Sequence, residues 1–195
     1  MKKKTHSNVE PLTGGSGGAH ALRSASVVVL HIDDDPNDTE LFRAAVRKAQ
    51  ADFQLQNVHD GEQAIAYLSG SGAFADRARY GRPALILLDL KMPRASGFEV
   101  LRWIRARPDL LDVPVIVLSG SELQEDVRRA YALGANSYLV KPSGFEALLE
   151  LVKTISLAWL PGGRPAPVFP GLPARRVGHG IGADGAERSG WWLAS

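Results

Sequence analysis

A chain of 195 residues with 45% apolar side chains can bury one core of ordinary size and little more. It has no cysteine, which excludes disulfide staples, thiolate zinc sites and thiol catalysis, and no run approaches the ~20 apolar residues of a membrane span. The net charge of +2 conceals a split, since residues 1–25 carry +3 and residues 161–195 carry +2, leaving −3 between them. A nucleic-acid reader would concentrate positive charge on its folded part, so no nucleic-acid partner is expected and the basic tails are read as solvated.

Residues 1–25, with Thr13-Gly14-Gly15-Ser16-Gly17-Gly18, read as a flexible N-terminal tail. Met1-Lys2-Lys3-Lys4 lacks the apolar stretch of a signal peptide, so a cytoplasmic protein away from membranes is expected. The apolar run Val27–Ile32 predicts a first strand, which ends in Asp33, Asp34 and Asp35. Leu41, Phe42, Ala45, Val46 and Ala49 then form a helical stripe. A strand over Phe53–Val58 precedes a helix with Asp60 as N-cap and Ala64, Ile65 and Leu68 on its apolar face. A long connection, Ser69–Pro83, is expected beside the acidic pocket, as a tolerated insertion in preference to a kinase contact.

Ala84–Leu88 predicts the third strand, ending in Asp89, and the helix after it carries Phe98, Val100, Leu101 and Ile104 before stopping ahead of Pro108. The fourth strand, Val115–Leu118, runs into Ser119-Gly120-Ser121. Ser121 with Gln124 resembles a capping box opening the fourth helix, and Gly134 is placed to end it in the left-handed conformation. Ser137–Val140 is the fifth strand and leads to Lys141-Pro142; a last helix spans about 144–160 and ends before Pro161-Gly162-Gly163. Residues 161–195 form a Gly/Pro-rich C-terminal tail without apolar periodicity, apart from Trp191-Trp192-Leu193.

Five strands alternating with five helices predict an α/β fold: a doubly wound five-stranded parallel sheet, order 2-1-3-4-5. Ligands of such sheets sit beyond the carboxyl ends of the strands, at the switch point between strands 1 and 3. Those strands end in Asp33/Asp34 and Asp89, while strands 4 and 5 deliver Ser119 and Lys141 to the same edge. Crowded carboxylates repel unless a hard cation sits among them, and Mg²⁺ suits two carboxylates, a carbonyl and a phosphoryl oxygen. Asp89 then serves as nucleophile toward phosphorus, with the serine hydroxyl and the ammonium holding the other phosphoryl oxygens.

These residues resemble the receiver domain of two-component response regulators, with its flavodoxin-like fold, over about 26–160. Asp33 and Asp34 fall on the family's acid pair, and Asp89, in Leu85-Ile86-Leu87-Leu88-Asp89-Leu90-Lys91-Met92-Pro93, falls on the phosphoacceptor. Ser119 lies on the switch hydroxyl position, Tyr138 on the switch aromatic, and Lys141-Pro142 on a Lys-Pro pair that is often cis, making Pro142 a cis-peptide candidate. The resemblance implies a metal site of Asp34, Asp89 and the backbone carbonyl of Lys91, with Asp33 acting through water. It also implies that phosphorylation lets Tyr138 rotate inward.

The stretch Ala130–Pro142 and the closing Trp159-Leu160 look like the stand-alone regulators paired with phytochrome-type histidine kinases. The expected function is therefore a phosphoacceptor switch and not an enzyme in the ordinary sense. It would be loaded by a histidine kinase and would signal through protein contacts, including a homodimer through helix 4, strand 5 and helix 5. Leu151, Leu157 and Trp159 are the apolar residues expected to be left over on the last helix. Only 35 residues follow residue 160, too few for an ordinary DNA-binding effector domain. The rival readings are a haloacid-dehalogenase-like phosphohydrolase, which would place its nucleophile on the first strand, and a scaffold receiver that is not phosphorylated. His31 is read as a satisfied core or edge histidine in preference to a phosphorylation site, and Asp35 either as a loop cap or as a third carboxylate that tunes metal affinity.

Overall fold

The structure, a computed structural model, describes residues 27–93, 95–160, 178–181 and 187–190. The N-terminal tail and Trp191-Trp192-Leu193 lie outside the described residues. Parallel strands β1 (Val28–Ile32), β2 (Gln54–Val58), β3 (Leu85–Leu88), β4 (Val115–Ser119) and β5 (Ser137–Val140) form a sheet in the order 2-1-3-4-5. Helices α1 (Pro36–Ala49), α2 (Gly61–Ser69), α3 (Gly97–Arg105), α4 (Gln124–Ala132) and α5 (Phe145–Trp159) connect and cover it. In the C-terminal tail, expected to lack regular structure, β6 (Gly178–Ile181) and β7 (Glu187–Gly190) pair antiparallel.

The period of two along each strand divides the core into two layers. Leu30, Ile32, Ile86, Leu88, Val115, Val117 and Tyr138 face α2, α3 and α4. Val29, Leu85, Leu87, Ile116, Leu118 and Leu139 face α1 and α5. Strands β1, β3 and β4 are therefore buried on both faces, which is why their sequences are apolar but for His31 in β1 and Ser119 at the end of β4.

Local chemistry sets the helix ends. Asp35 caps α1, its Oδ1 accepting from the Asn37 amide at 2.8 Å, with Pro36 at the first helical position. Asp60 caps α2 by accepting from the Gln63 amide at 2.8 Å. Gly134, at φ +94°, ends α4 as its sequence position predicts, with Ala135 N–H returning to Ala130 O. The start of α4 departs from expectation. Ser121 opens no capping box, because its amide, hydroxyl and carbonyl are tied to Ser119, Asp126 and Tyr138, and the helix begins only at Gln124.

The connection 69–83 also lies elsewhere than expected. In a parallel sheet α2 runs back toward the amino edge, so this segment sits at the end opposite the acids. It is a built element. The Arg77 guanidinium donates to Tyr67 O and Leu68 O at 2.8 Å and to Tyr80 O at 3.3 Å, which satisfies carbonyls at the end of α2. Tyr67 O–H donates to Gly81 O at 2.9 Å, and the Tyr67, Phe74 and Tyr80 rings pack together. Among the described residues no helix is long and apolar enough to cross a membrane.

Candidate functional site: an acidic pocket held by one lysine

Strand β1 stops at Ile32 and β3 at Leu88, paired residues in the register, so Asp33 and Asp89 emerge side by side from the middle of the sheet. One carboxylate oxygen from each of Asp33, Asp34 and Asp89 lies within 4.8 Å of the other two. Asp33 and Asp89 are buried, whereas Asp34 is partly exposed. Three carboxylates at such spacing are a poor arrangement for an empty pocket and a suitable oxygen set for a hard divalent cation.

Lys141 reaches the pocket from the end of β5. Its ammonium lies 2.8 Å from Asp33 Oδ2, 2.9 Å from Asp89 Oδ2 and 2.7 Å from Asp38 Oδ2. Burial alone would lower the Lys141 pKa, but hydrogen bonds to Asp33, Asp38 and Asp89 outweigh it and raise it above the ordinary lysine value. Burial pushes the Asp33 carboxyl up, yet hydrogen bonds with His31 and Lys141 hold it below its ordinary 3.8. Among the described residues there are no cis peptide bonds, so the Lys141–Pro142 bond is trans and Pro142 is not a cis residue here.

Each of the other predicted residues has a definite place. Asp33 Oδ1 accepts from the Asp35 amide at 3.1 Å, and Asp89 Oδ1 accepts from the Lys91 amide at 3.1 Å, so both loops are folded around their own carboxylates. Asp35 is a helix cap and faces solvent. Ser119 is fully buried at the end of β4, its Oγ accepting from the Ser121 amide at 3.4 Å. Tyr138, only 1% exposed, already points inward, and its hydroxyl donates to Ser121 O at 2.8 Å. Burial and the hydrogen bond of its hydroxyl hold the ring there. Gly97 lets α3 start against the acid loop: a Cβ there would meet Asp89 O and come within 2.7 Å of Leu90 Cα.

Two pocket residues escaped the sequence reading. Asp38 enters from the first turn of α1, and the Asp35-Pro36 start signal of that helix could have placed it at the strand ends. His31 was rightly expected to be satisfied, but its second partner is Asp33. Its Nδ1 lies 3.1 Å from Asn57 Oδ1, its Nε2 lies 3.5 Å from Asp33 Oδ2, and its ring stacks on Phe42. The i, i+2 relation of His31 and Asp33 puts them on one face of β1 and was the available signal.

Comparison with known proteins decides the family. Residues 29–153 match the response regulator receiver domain. The chain belongs to that family. It is 36% identical over 133 residues to the response regulator Rcp1 of Synechocystis, covering 68% of this chain and 88% of that protein. The structure of Rcp1 in its Mn²⁺-bound form is similar at a TM-score of 0.63 and 34% identity, covering 73% of this chain and 99% of the other. The phosphorylated cyanobacterial phytochrome response regulator RcpA matches at a TM-score of 0.64 and 35% identity, over 69% of this chain and 94% of that one. The chain is thus a receiver domain, a phosphoacceptor switch of two-component signalling, and its acid cluster has the oxygen set that a divalent metal uses. Neither rival reading finds support. The nucleophile position of a haloacid-dehalogenase-like phosphohydrolase would fall on β1, where Asp33 is engaged by Lys141 and His31. The complete set of acids, hydroxyl and lysine in one pocket does not suit an unphosphorylated scaffold.

Proposed function

We propose that Asp89 is the phosphoacceptor and that the divalent cation is Mg²⁺. The observation that carries this reading is the convergence on Asp89 of two acids, one lysine and one hydroxyl strand end within a single carboxyl edge. Asp34, Asp89 and the Lys91 carbonyl would hold the cation. Both Asp33 oxygens already have partners in Asp35 N–H and Lys141, which favours an indirect role for Asp33 through water. When bound, the cation neutralises charge on the transferring phosphoryl group. An Asp89 oxygen bonds to phosphorus as the phosphorus–nitrogen bond of a kinase phosphohistidine breaks, and the imidazole leaves with a proton. Lys141 and Ser119 then hold phosphoryl oxygens, and Tyr138 reports the change to the surface of α4, β5 and α5.

The donor we propose is a histidine kinase of the phytochrome type, on the likeness to Rcp1 and RcpA, acting in the cytoplasm. A hollow between α1 and α5, walled by Leu41, Phe42, Phe145 and Leu148, opens beside Asp38 and Lys141 and gives an approaching helix an apolar footing. Output runs through protein contacts. We propose a homodimer through α4, β5 and α5, where Leu123, Val140 and Leu157 are exposed while Leu151 and Trp159 pack against the core.

The deciding experiment is labelling with a small phosphodonor and Mg²⁺. One acid-stable, base-labile phosphoryl group is expected per chain, lost in Asp89→Asn. Label that persists in that variant, or that maps to His31, refutes the assignment.

A further inference from the structure

A lysine ammonium has three protons to donate, and Lys141 directs all three at carboxylates. Two of its acceptors, Asp33 and Asp89, belong to the group whose oxygens a cation would use. The third, Asp38, does not belong to that group, and yet it makes the shortest of the three contacts. Asp38 stands on the first turn of α1, where Asp35 and Pro36 fix the start of the helix and hence its height above the strand ends. It is 40% exposed at the pocket mouth while Lys141 is 19% exposed behind it.

We propose that Asp38 is a positioning residue for Lys141. It anchors the ammonium from the rim on an acceptor that the cation does not need, so that Asp33 can be released to the water through which it serves the cation. A second ammonium proton can then pass from Asp89 to a phosphoryl oxygen. Without Asp38, the ammonium rests on Asp33 and Asp89 alone, the acids that serve the cation through water and directly, and the lysine becomes the cation's competitor. The long flexible stem of Lys141 makes this anchoring consequential, because an unanchored ammonium has to be ordered during the reaction itself. The inference rests on the reading of Asp89 as phosphoacceptor and extends it to a residue on α1.

The test is a double-mutant cycle in the full chain. Asp38→Asn and Asp38→Glu are made alone and in a Lys141→Met background, with Lys141→Gln as the second background should the first not fold. Two quantities are read: Mg²⁺ affinity by calorimetry, and the rate of labelling by a small phosphodonor at saturating Mg²⁺. Asp38→Asn is expected to weaken Mg²⁺ binding several-fold and to slow labelling about tenfold, the order seen when two contacting groups couple. Asp38→Glu keeps the charge but displaces the carboxylate by one methylene, and it too is expected to slow labelling. Neither substitution changes either quantity further once Lys141 is gone. An equal effect of Asp38→Asn in both backgrounds would show a general field effect and overturn the proposal, as would wild-type behaviour of both Asp38 variants. If the unaltered chain takes no label at Asp89, the underlying reading fails, while the Mg²⁺ affinities still decide whether Asp38 acts through Lys141.

Discussion

Replacing Lys141 with Met removes the one ammonium shared by Asp33, Asp38 and Asp89 while keeping most of the packing of its stem. Breaking a buried ion pair by removing one partner costs about 3–5 kcal/mol, because the surviving charge stays desolvated. Here Asp33 is almost wholly buried, but Lys141 is 19% exposed and Asp38 40%. Solvent screening therefore brings the loss to the lower end, about 3 kcal/mol. For a folded part of this size that corresponds to a fall in Tm of about 10 °C. The assay is thermal unfolding by circular dichroism, first in chelator and then with Mg²⁺. In chelator the variant melts well below the parent chain. Mg²⁺ at about 100 times its Kd adds about 2.7 kcal/mol to a chain that binds it, the parent included, so the gap narrows only by the difference in Mg²⁺ affinity, which is expected to favour the variant freed of the competing ammonium. Were Lys141→Met as stable as the parent in chelator, Lys141 would not be the group that offsets the buried acids, and the account of the pocket would fail.

Asp34→Asn has the opposite sign: it removes a carboxylate near Asp33 and Asp89 that Lys141 does not touch, so in chelator Tm rises by an amount equivalent to about 1 kcal/mol. With Mg²⁺ present, the same variant labels orders of magnitude more slowly. Gly97→Ala pushes a methyl into the Asp89 carbonyl and Leu90, costing about 1–3 kcal/mol in denaturant unfolding and slowing phosphorylation as the acceptor loop shifts. Arg77→Ala frees carbonyls at the end of α2 and lowers stability by about 1–2 kcal/mol, yet leaves the labelling rate unchanged because it lies at the opposite edge of the sheet. The Asp33 carboxyl, held below 3.8 in the fold, contributes stability that is present above that value and is lost as pH falls through its lower folded pKa. Acid unfolding of Asp33→Asn should accordingly be shallower below pH 3.8 than that of the parent chain.

The strands were legible because β1, β3 and β4 are buried on both faces, and apolar runs broken only by His31 have few other uses. Asp33, Asp89 and Ser119 were legible for a related reason: each follows directly on such a run, with Asp34 next to Asp33 and Lys141 at the end of the fifth strand, so strand prediction and site prediction were one act. Asp38 follows no strand. It joins the pocket through the geometry of a helix start, and a periodicity argument that seeks the apolar stripe passes over the polar residues of the first turn. Leu41 shows the same blind spot from the other side, counted in the stripe but 49% exposed, on the wall of the hollow that faces α5. The place of Ser69–Pro83 was implicit in the parallel topology, since the crossover from α2 to β3 must pass the amino edge. What the sequence could not convey was the hydrogen bonding of Arg77, which makes the segment an ordered cap on α2.

The position of Lys141 bears on how such a pocket can rest and still be ready. Four acids around one ammonium leave an excess of negative charge, so the native state without a cation is held below its full stability by its own functional group. The lysine limits that cost by neutralising the two acids that are least exposed, Asp33 and Asp89, and leaves the more exposed Asp34 to solvent and to an incoming ion. On the proposed reading, a cation entering beside Asp34 would meet carboxylates that are already aligned and would displace contacts of an ammonium that has Asp38 to rest on. The acids are thereby kept ordered in the absence of ligand and exchangeable in its presence. A fourth acid at the mouth of the pocket, costly in isolation, makes physical sense on those terms.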